Sequence, residues 1–245
     1  MTADAVAIIP ARGGSKGVPR KNLRPFMGEP LVVHSIRHAL SSSRVGRVVV
    51  STDDPEIAQA AAAAGAEVCS RPAAISGDAA PSEPALLHAV EAVYPDARTR
   101  PRLVVFLQAT SPIRDPGDID AAVAELDRTR ADSLLSVCPS HDFHWTLRDG
   151  HALPVNYDPA ARPRRQDLPP QFRENGSLYV MKTAGLMEHR CRLFGRVALY
   201  VMDQVRSFQI DTLEDFHICE ALASCRSGSQ ERHRVAQMPT ERAEV

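Results

Sequence analysis

The chain has 245 residues, which is enough for one large α/β domain whose core needs neither disulfides nor a structural metal. Its 29 Lys and Arg balance 30 Asp and Glu, so it lacks the net field that draws a protein to nucleic acid or to an anionic membrane. Five cysteines without a C-x-x-C pair, and no apolar segment of signal-peptide or membrane-spanning character, predict a cytoplasmic protein without a disulfide framework.

The first strong structural signal is an apolar, β-branched run over residues 6–9, which predicts a strand buried on both faces of a parallel sheet. A glycine-rich basic loop follows it. Its glycines and cations are Gly13, Gly14, Gly17, Arg12, Lys16, Arg20 and Lys21. Glycines let backbone N–H groups approach an anion and the cations neutralise its charge, so the loop is typical of a phosphate site. It matches neither G-x-x-x-x-G-K-[ST] nor G-x-G-x-x-G, and a basic surface turn is the alternative.

Helical and strand patterns then alternate along the chain. Helices are predicted over residues 31–40, from 53–56 to Gly65, over about 83–94 and from 115–118 onward, and strands over 47–53, 66–69, 102–108 and 133–137. This alternation predicts an α/β fold with a doubly wound, mostly parallel sheet. The polar turn 109–112 follows the strongest of the later strands, at a position where ligands bind in such sheets.

Regularity fails from residue 139 to 175, and we expect an excursion from the sheet there. It could be an arm, a lid or a dimerisation element, and an ordinary long loop is the alternative. Strands return over 177–181 and 197–202, and an acidic turn over 210–216 precedes a last helix that ends at about Ala223. The polar tail 224–245 lacks periodicity, which predicts a frayed or disordered end after a single domain over 1–223.

Three polar clusters lie at predicted strand ends: the basic glycine loop, the turn with Gln108, Thr110 and Ser111, and Asp211. Their meeting at one edge of the sheet is what a nucleotidyl-transfer site needs. Cations would hold the leaving pyrophosphate, while a carboxylate would hold a divalent metal ion against the α-phosphate. Asp211 fits a helix cap equally well, and one residue can do both.

Two weaker signals favour structural roles. His141 and His144 are more typical of surface polar residues than of metal ligands, because no thiolate completes a ligand set. The pair Asp53 and Asp54, followed by Pro55, indicates a helix start rather than a metal pair. Nothing in the sequence singles out a Ser-His-Asp or Cys-His set.

With these residues assembled, the chain resembles the acylneuraminate cytidylyltransferase family, whose members make CMP-activated sialic acids, over about residues 5–223. The segments that carry the resemblance are 9–17, 21–22, 51–53, 71–72, 107–114, 165–166, 172–176 and 210–212. The resemblance implies a Rossmann-like nucleotidyltransferase fold and a reaction in which an acceptor oxygen attacks the α-phosphate of CTP. It also implies a homodimer in which the irregular middle segment reaches into the partner's site.

The resemblance further implies roles for individual residues. CTP would be held by Ala11, Arg12, Gly13, Gly14, Ser15, Lys16, Lys21, Asn22, Arg71 and Ser82, of which Arg12, Lys16 and Lys21 would be catalytic together with Asp211. The small anionic acceptor would be bound by Gln108, Thr110, Ser111, Arg165, Asn175 and Tyr179. Asp211 would hold Mg²⁺.

Three departures from the family pattern fall on the acceptor side. Gln209 stands where bacterial sialic-acid enzymes commonly carry a second acidic residue, Arg192 and Leu193 replace paired phenylalanines, and segment 141–145 lacks a lysine found there. The default acceptor is a nonulosonic acid of sialic or legionaminic type. The alternatives are a small phosphonate such as phosphonoformate, a sugar-1-phosphate with UTP or dTTP, and a nucleotide-binding protein without catalysis.

Overall fold

A computed structural model describes residues 3–14, 17–77 and 80–236, with side chains through residue 226. Its strands are β1 (Ala5–Pro10), β2 (Pro25–Phe26), β3 (Glu29–Pro30), β4 (Val45–Thr52), β5 (Glu67–Ser70), β6 (Leu103–Leu107), β7 (Ser133–Ser140), β8 (Trp145–Arg148), β9 (His151–Pro154), β10 (Gln171–Lys182) and β11 (Val197–Val201). Its α-helices are α1 (Leu31–Leu40), α2 (Pro55–Ala63), α3 (Ser82–Val93), α4 (Asp118–Thr129), α5 (Thr183–His189) and α6 (Leu213–Ala236).

Within these residues a seven-stranded sheet forms the centre of the molecule, in the order β11-β7-β10-β6-β1-β4-β5. Strand β1 pairs in parallel with β4 and β6, β5 continues in parallel from β4, and β11 pairs in parallel with β7. Strand β10 alone is antiparallel, to both β6 and β7. The mostly parallel sheet is the one that the alternating sequence pattern predicts.

Helices cover both faces of the sheet, because β1 and β6 are apolar at every position and alternate side chains must be buried on opposite sides. One face packs Ile9 and Leu107 against α1, α2 and α4. The other packs Ile8 and Phe106 against α3 and α5. Helix α5, which the sequence did not indicate, is only seven residues long.

A third, smaller apolar cluster holds α6 against the segment that follows β1, with Val18 and Phe26 packing against Ile210 and Phe216. Helix α6 continues to Ala236, so the predicted end of the last helix at about Ala223 is wrong. The frayed or disordered tail from residue 224 onward stays a prediction. Arg226 explains part of the extension, since its Nη2 donates to Asp115 Oδ1 at 2.5 Å. Residues 237–245 lie outside the described residues.

The excursion between β7 and β10 contains a hairpin that the sequence interpretation did not identify. Strands β8 and β9 pair in antiparallel register around Asp149 and Gly150, both of which have positive φ, 51° and 77°. Asp-Gly is the preferred pair for a two-residue hairpin turn of this kind, so the signal was present in the sequence. The expected irregular segment is therefore corrected to a hairpin flanked by loops.

Candidate active site

The loop after β1 is fastened to its neighbours by its backbone. Gly13 N donates to Asp53 Oδ1 at 3.1 Å, and Asn22 Nδ2 donates to the Arg12 carbonyl oxygen at 3.0 Å. Arg12 Nη1 donates to the Gly77 carbonyl oxygen at 2.9 Å, which draws the loop towards the segment before α3. Ser15 and Lys16, both predicted to hold phosphate, lie outside the described residues.

Lys21 joins this loop to the segment before α6. Its Nζ is 2.9 Å from Asp211 Oδ1 and 2.7 Å from the Ile210 carbonyl oxygen. Ile210 N in turn donates to the Thr110 carbonyl oxygen at 2.8 Å. The three polar clusters that the sequence places at strand ends therefore meet at one edge of the sheet.

Gly17 explains why this contact is so close. A Cβ at residue 17 would overlap the carbonyl oxygen of Asp211. The overlapped atom is backbone, which cannot rotate away as a flexible side chain would. Glycine is therefore required at residue 17 by close approach rather than by backbone conformation.

A cavity of about 240 Å³ opens beside the loop. It is lined by Pro10, Arg12, Gly14, Lys21, Asn22, Arg71, Ala80, Pro81, Ser82, Phe106, Gln108, Ala109 and Thr110. We call it the cation-lined cavity because Arg12, Lys21 and Arg71 all border it. Arg71 is buried and its Nε donates to Ser51 Oγ at 3.2 Å; desolvation lowers its pKa, while Asp53 opposes the shift.

A second cavity, of about 310 Å³, lies on the other side of Asp211. It is lined by Arg173, Glu174, Asn175, Ser207, Phe208, Gln209, Asp211 and Asp215. We call it the carboxylate-lined cavity. Arg173, Glu174 and Asp215 were not singled out from the sequence, although Arg173 and Glu174 fall within a motif of the family resemblance.

The predicted acceptor residues do not share one cavity. Gln108 and Thr110 line the cation-lined cavity, and Asn175 lines the carboxylate-lined one. Asn175 is only 2% exposed, and its Nδ2 donates to Ser207 Oγ at 2.9 Å, so its side chain serves the local structure. Gln209 Nε2 donates to the Asn175 carbonyl oxygen at 2.5 Å.

Three other predicted residues border neither of these two cavities. Ser111 is 1% exposed beneath the turn, and Arg165 lies in a 3-10 turn of the excursion. Tyr179 is 2% exposed, stacks on Phe106 and donates its hydroxyl hydrogen bond to Glu174. Burial and the Glu174 carboxylate raise the pKa of Tyr179, so its hydroxyl stays protonated.

The sequence left two roles open for Asp211, as a helix cap or as a metal ligand, and the start of α6 shows which residues form the cap. Asp215 Oδ2 accepts from the backbone N–H groups of Asp211, at 2.9 Å, and Thr212, at 2.8 Å, while Asp215 N donates to Thr212 Oγ1 at 3.2 Å. This is a capping box in which Thr212 and Asp215 satisfy the helix start. The Asp211 side chain, 69% exposed, faces Lys21 instead.

Among the described residues, no group of three or more His, Cys, Asp or Glu is placed to hold a metal ion. Asp54 caps α2, since its Oδ1 accepts from Glu56 N at 2.8 Å and Ile57 N at 3.0 Å, which confirms the predicted helix start.

Comparison with known proteins decides the family. Residues 6–238 match the family profile described as cytidylyltransferase. The chain belongs to the cytidylyltransferase family. This membership confirms the resemblance that the sequence motifs indicate.

Relatives of this cytidylyltransferase chain fall into two length classes. It is 36% identical over 220 residues to N-acylneuraminate cytidylyltransferase A of Danio rerio, a match covering 87% of this chain and 49% of that protein. It is 28% identical over 224 residues to pseudaminic acid cytidylyltransferase of Campylobacter jejuni, covering 89% and 95%. The chain thus spans about half the length of the N-acylneuraminate relatives and nearly all of the bacterial one.

Solved structures of other proteins share the fold of this chain. CMP:2-keto-3-deoxy-manno-octonic acid synthetase complexed with CTP superposes with a TM-score of 0.67 at 20% identity, covering 91% of this chain and 99% of that one. A 4-diphosphocytidyl-2C-methyl-D-erythritol synthase gives 0.63 at 14% identity, covering 91% and 100%. These likenesses confirm the Rossmann-like α/β fold. No helix in the described part of the chain is long and apolar enough to cross a bilayer.

Proposed function

We propose that this chain transfers CMP from CTP to a carboxylate-bearing nonulosonic acid and releases pyrophosphate. The observation that carries the proposal is the 2.9 Å contact between Lys21 and Asp211, which lies between the cation-lined and the carboxylate-lined cavities. Family membership supplies the reaction class. Relatives named as N-acylneuraminate and pseudaminic acid cytidylyltransferases supply the acceptor class.

The cation-lined cavity is proposed to take CTP. Arg12 and Lys21 border it near the glycine loop, where they would face the phosphates, and Asn22, Arg71 and Ser82 would surround the nucleoside. A triphosphate carries up to four negative charges, so a cavity bordered by cations binds it in a way that a neutral cavity cannot. Of the predicted loop residues after β1, Gly14 lines this cavity, Ala11 is buried in the core, and Gly13 is not among the lining residues.

The reaction needs no protein nucleophile. An oxygen of the acceptor attacks the α-phosphorus of CTP, the bond from that phosphorus to the bridging oxygen breaks, and pyrophosphate leaves with the electron pair of that bond. The acceptor hydroxyl gives its proton to solvent or to a base. Arg12 and Lys21 stabilise the charge that accumulates on the leaving pyrophosphate, which is where preorganised cations accelerate phosphoryl transfer most.

The residues present fit a bound Mg²⁺. Mg²⁺ is usually held by one or two carboxylates together with substrate phosphates and water, and Asp211 offers one exposed carboxylate beside the cations. Gln209 contributes no second carboxylate because its side chain ends in a neutral amide, whose Nε2 donates to the Asn175 carbonyl oxygen. When bound, Mg²⁺ would neutralise charge on the phosphate oxygens.

The acceptor is proposed to occupy the carboxylate-lined cavity, where the Arg173 guanidinium would receive its carboxylate, and Gln108 would reach it from the border of the cation-lined cavity. A pyrophosphate-release assay with CTP and a panel of acceptors tests this. Turnover of sialic, legionaminic or pseudaminic acid is expected. Turnover of phosphonoformate alone would reject the nonulosonic acid, and equal turnover with UTP and dTTP would reject CTP specificity. CTP binding without pyrophosphate release for any acceptor would mean that the chain binds nucleotide without catalysis.

The hairpin of β8 and β9 is proposed to pack against a second copy of the chain. Its apolar side chains stand in solvent: Leu147 is 76% exposed, Val155 60% and Trp145 52%. Several exposed large apolar side chains on one hairpin are typical of an interface. A homodimer would cover it.

A further inference from the structure

Arg192 stands behind the cation-lined cavity. Its guanidinium carbon is 5.1 Å from the ring centroids of both Phe106 and Tyr179. The two rings stack with centroids 5.2 Å apart and planes 14° apart. Phe106 lines the cavity and Tyr179 is buried beside it, so Arg192 contacts an aromatic pair that forms part of the cavity floor.

The same guanidinium also binds a residue of α3, the helix that begins beside the cavity. Arg192 Nε donates to Glu83 Oε1 at 2.6 Å, and the two side chains are 20% and 18% exposed. Glu83 lies in the first turn of α3, directly after Ser82, which lines the cavity. Burial alone would lower the pKa of Arg192, but the Glu83 carboxylate outweighs it and raises that pKa. The pair is therefore ionised.

The pairing with Glu83 gives a different interpretation of why Arg192 departs from the family pattern. A cation in place of an aromatic residue would favour a small, strongly anionic acceptor if its charge were available. Here the charge is neutralised by a carboxylate at 2.6 Å and covered by two rings. The observation that motivated a phosphonate acceptor thus has a different explanation, and it concerns the nucleotide.

We propose that Arg192 is a positioning residue for the nucleotide, holding Ser82 and Phe106 in place through Glu83 and the aromatic pair. The inference rests on the proposed function in that the ligand is CTP. A half-buried ion pair whose cation also contacts aromatic rings holds its geometry more firmly than an exposed pair. If the two side chains separate, each loses its charged partner while it is still largely shielded from water. Loss of either partner should loosen the first turn of α3.

The test is CTP binding by calorimetry on the full chain with Arg192→Met and Glu83→Gln. Each variant is expected to weaken CTP binding about tenfold, a size within the range found for coupled neighbours. The double variant is expected to bind about as weakly as the weaker single variant, because the pair acts as a unit. Kinetics should show a raised KM for CTP, while the KM for the acceptor changes less than about twofold.

Arg128→Met is the matched control, because Arg128 pairs with Glu125 at 2.6 Å on the surface of α4. It is expected to bind CTP normally. If Arg192→Met fails to fold, Glu83→Gln, which keeps the shape of the side chain, still carries the test. Unchanged CTP binding in the folded single variants, or a rise confined to the KM of the acceptor, would overturn the inference. Failure of the unsubstituted chain to bind CTP would overturn the proposed function itself.

Discussion

Lys21 and Asp211 are 190 positions apart in the sequence, and their side chains meet at 2.9 Å beside the first loop. The contact brings the cation proposed to face the phosphates next to the carboxylate proposed to face the metal. Each group therefore sets the charge that the other presents to substrate. This relationship determines the first two predictions.

Replacement of Lys21 should disable catalysis more than it disables folding. Lys21→Met is expected to lower kcat/KM by at least a hundredfold, which corresponds to about 3 kcal/mol, the loss seen when one donor leaves a preorganised site. Lys182→Met is the control, since Lys182 forms a similar pair with Asp132 at 2.8 Å outside both cavities. A loss below tenfold in steady-state assays would show that Lys21 does not face the triphosphate.

Substitutions at Asp211 and Asp215 should have different effects, the first on the Mg²⁺ requirement and the second on the free energy of unfolding. Asp211→Asn is expected to raise the Mg²⁺ concentration for half-maximal rate by at least about tenfold, as for loss of a partner at a metal site. Asp215→Ala should lower the free energy of unfolding by about 1 kcal/mol through its lost capping bonds. It should leave the Mg²⁺ requirement unchanged. Titration of Mg²⁺ and thermal melts of both variants check this, and unaltered metal dependence in Asp211→Asn would contradict it.

Gly17 should tolerate no side chain. Gly17→Ala places a methyl group on the carbonyl of Asp211, so the loop and the start of α6 must separate. Overpacking of this kind costs about 1–3 kcal/mol, and here we expect it to appear as weaker CTP binding. Gly46→Ala, where a Cβ meets only ordinary contacts, is the control. Calorimetry showing equal CTP affinity in the two variants would disprove the close approach.

His38 should make stability depend on pH. Burial, with the nearby Arg114 charge, lowers its pKa from 6.5 to about 4, so the folded chain keeps the ring neutral where the unfolded chain protonates it. Stability should therefore fall as the pH drops from about 6.5 to about 4, by up to about 3 kcal/mol.

Denaturant titrations across that range measure the effect. His38→Gln should flatten the curve in this window, whereas His151→Gln, on the exposed hairpin, should leave it unchanged. A pH dependence that persists in His38→Gln would assign it to other groups.

The apolar hairpin should determine the oligomeric state. Leu147→Glu places a charge on the large apolar side chain that is most exposed among the described residues, and it should shift a dimer to monomer in sedimentation experiments. Leu40→Glu, a similar change on the 50% exposed end of α1, should leave the dimer intact. If the unsubstituted chain sediments as a monomer at high concentration, that result would contradict the proposed homodimer.

The sequence predicts the sheet well because its signals are local. Runs such as residues 6–9 and 103–107 are apolar throughout, and only burial on two faces accounts for them. The glycines and cations after β1 likewise indicate an anion site without knowledge of the fold. The meeting of Lys21 with Asp211 depends on more than strand ends, because β11 ends at Val201 and Asp211 lies just before α6, where the Ile210 N–H donates to the Thr110 carbonyl oxygen.

What the sequence could not supply depends on contacts between distant segments. Nothing near Arg192 indicates that Glu83, 109 positions away, neutralises it. Tyr179 has the character of a binding residue, yet it is buried by stacking on Phe106. The pair of Arg226 and Asp115, which supports part of the helix past Ala223, is likewise revealed by no periodic pattern.

The reversed direction of β10 has a consequence for how acceptor choice can change. Because β10 alone runs against its neighbours, its first residues lie at the edge where β6 and β7 end, and the whole connection from Ser140 to Gln171 enters the sheet there. Insertions or replacements in that connection would act on the first residues of β10, which include Arg173 and Glu174 of the carboxylate-lined cavity. Strands β1 and β4, which hold the glycine loop, would keep their register. The proposed acceptor side can therefore change while the loop proposed to hold CTP keeps its place in the sheet.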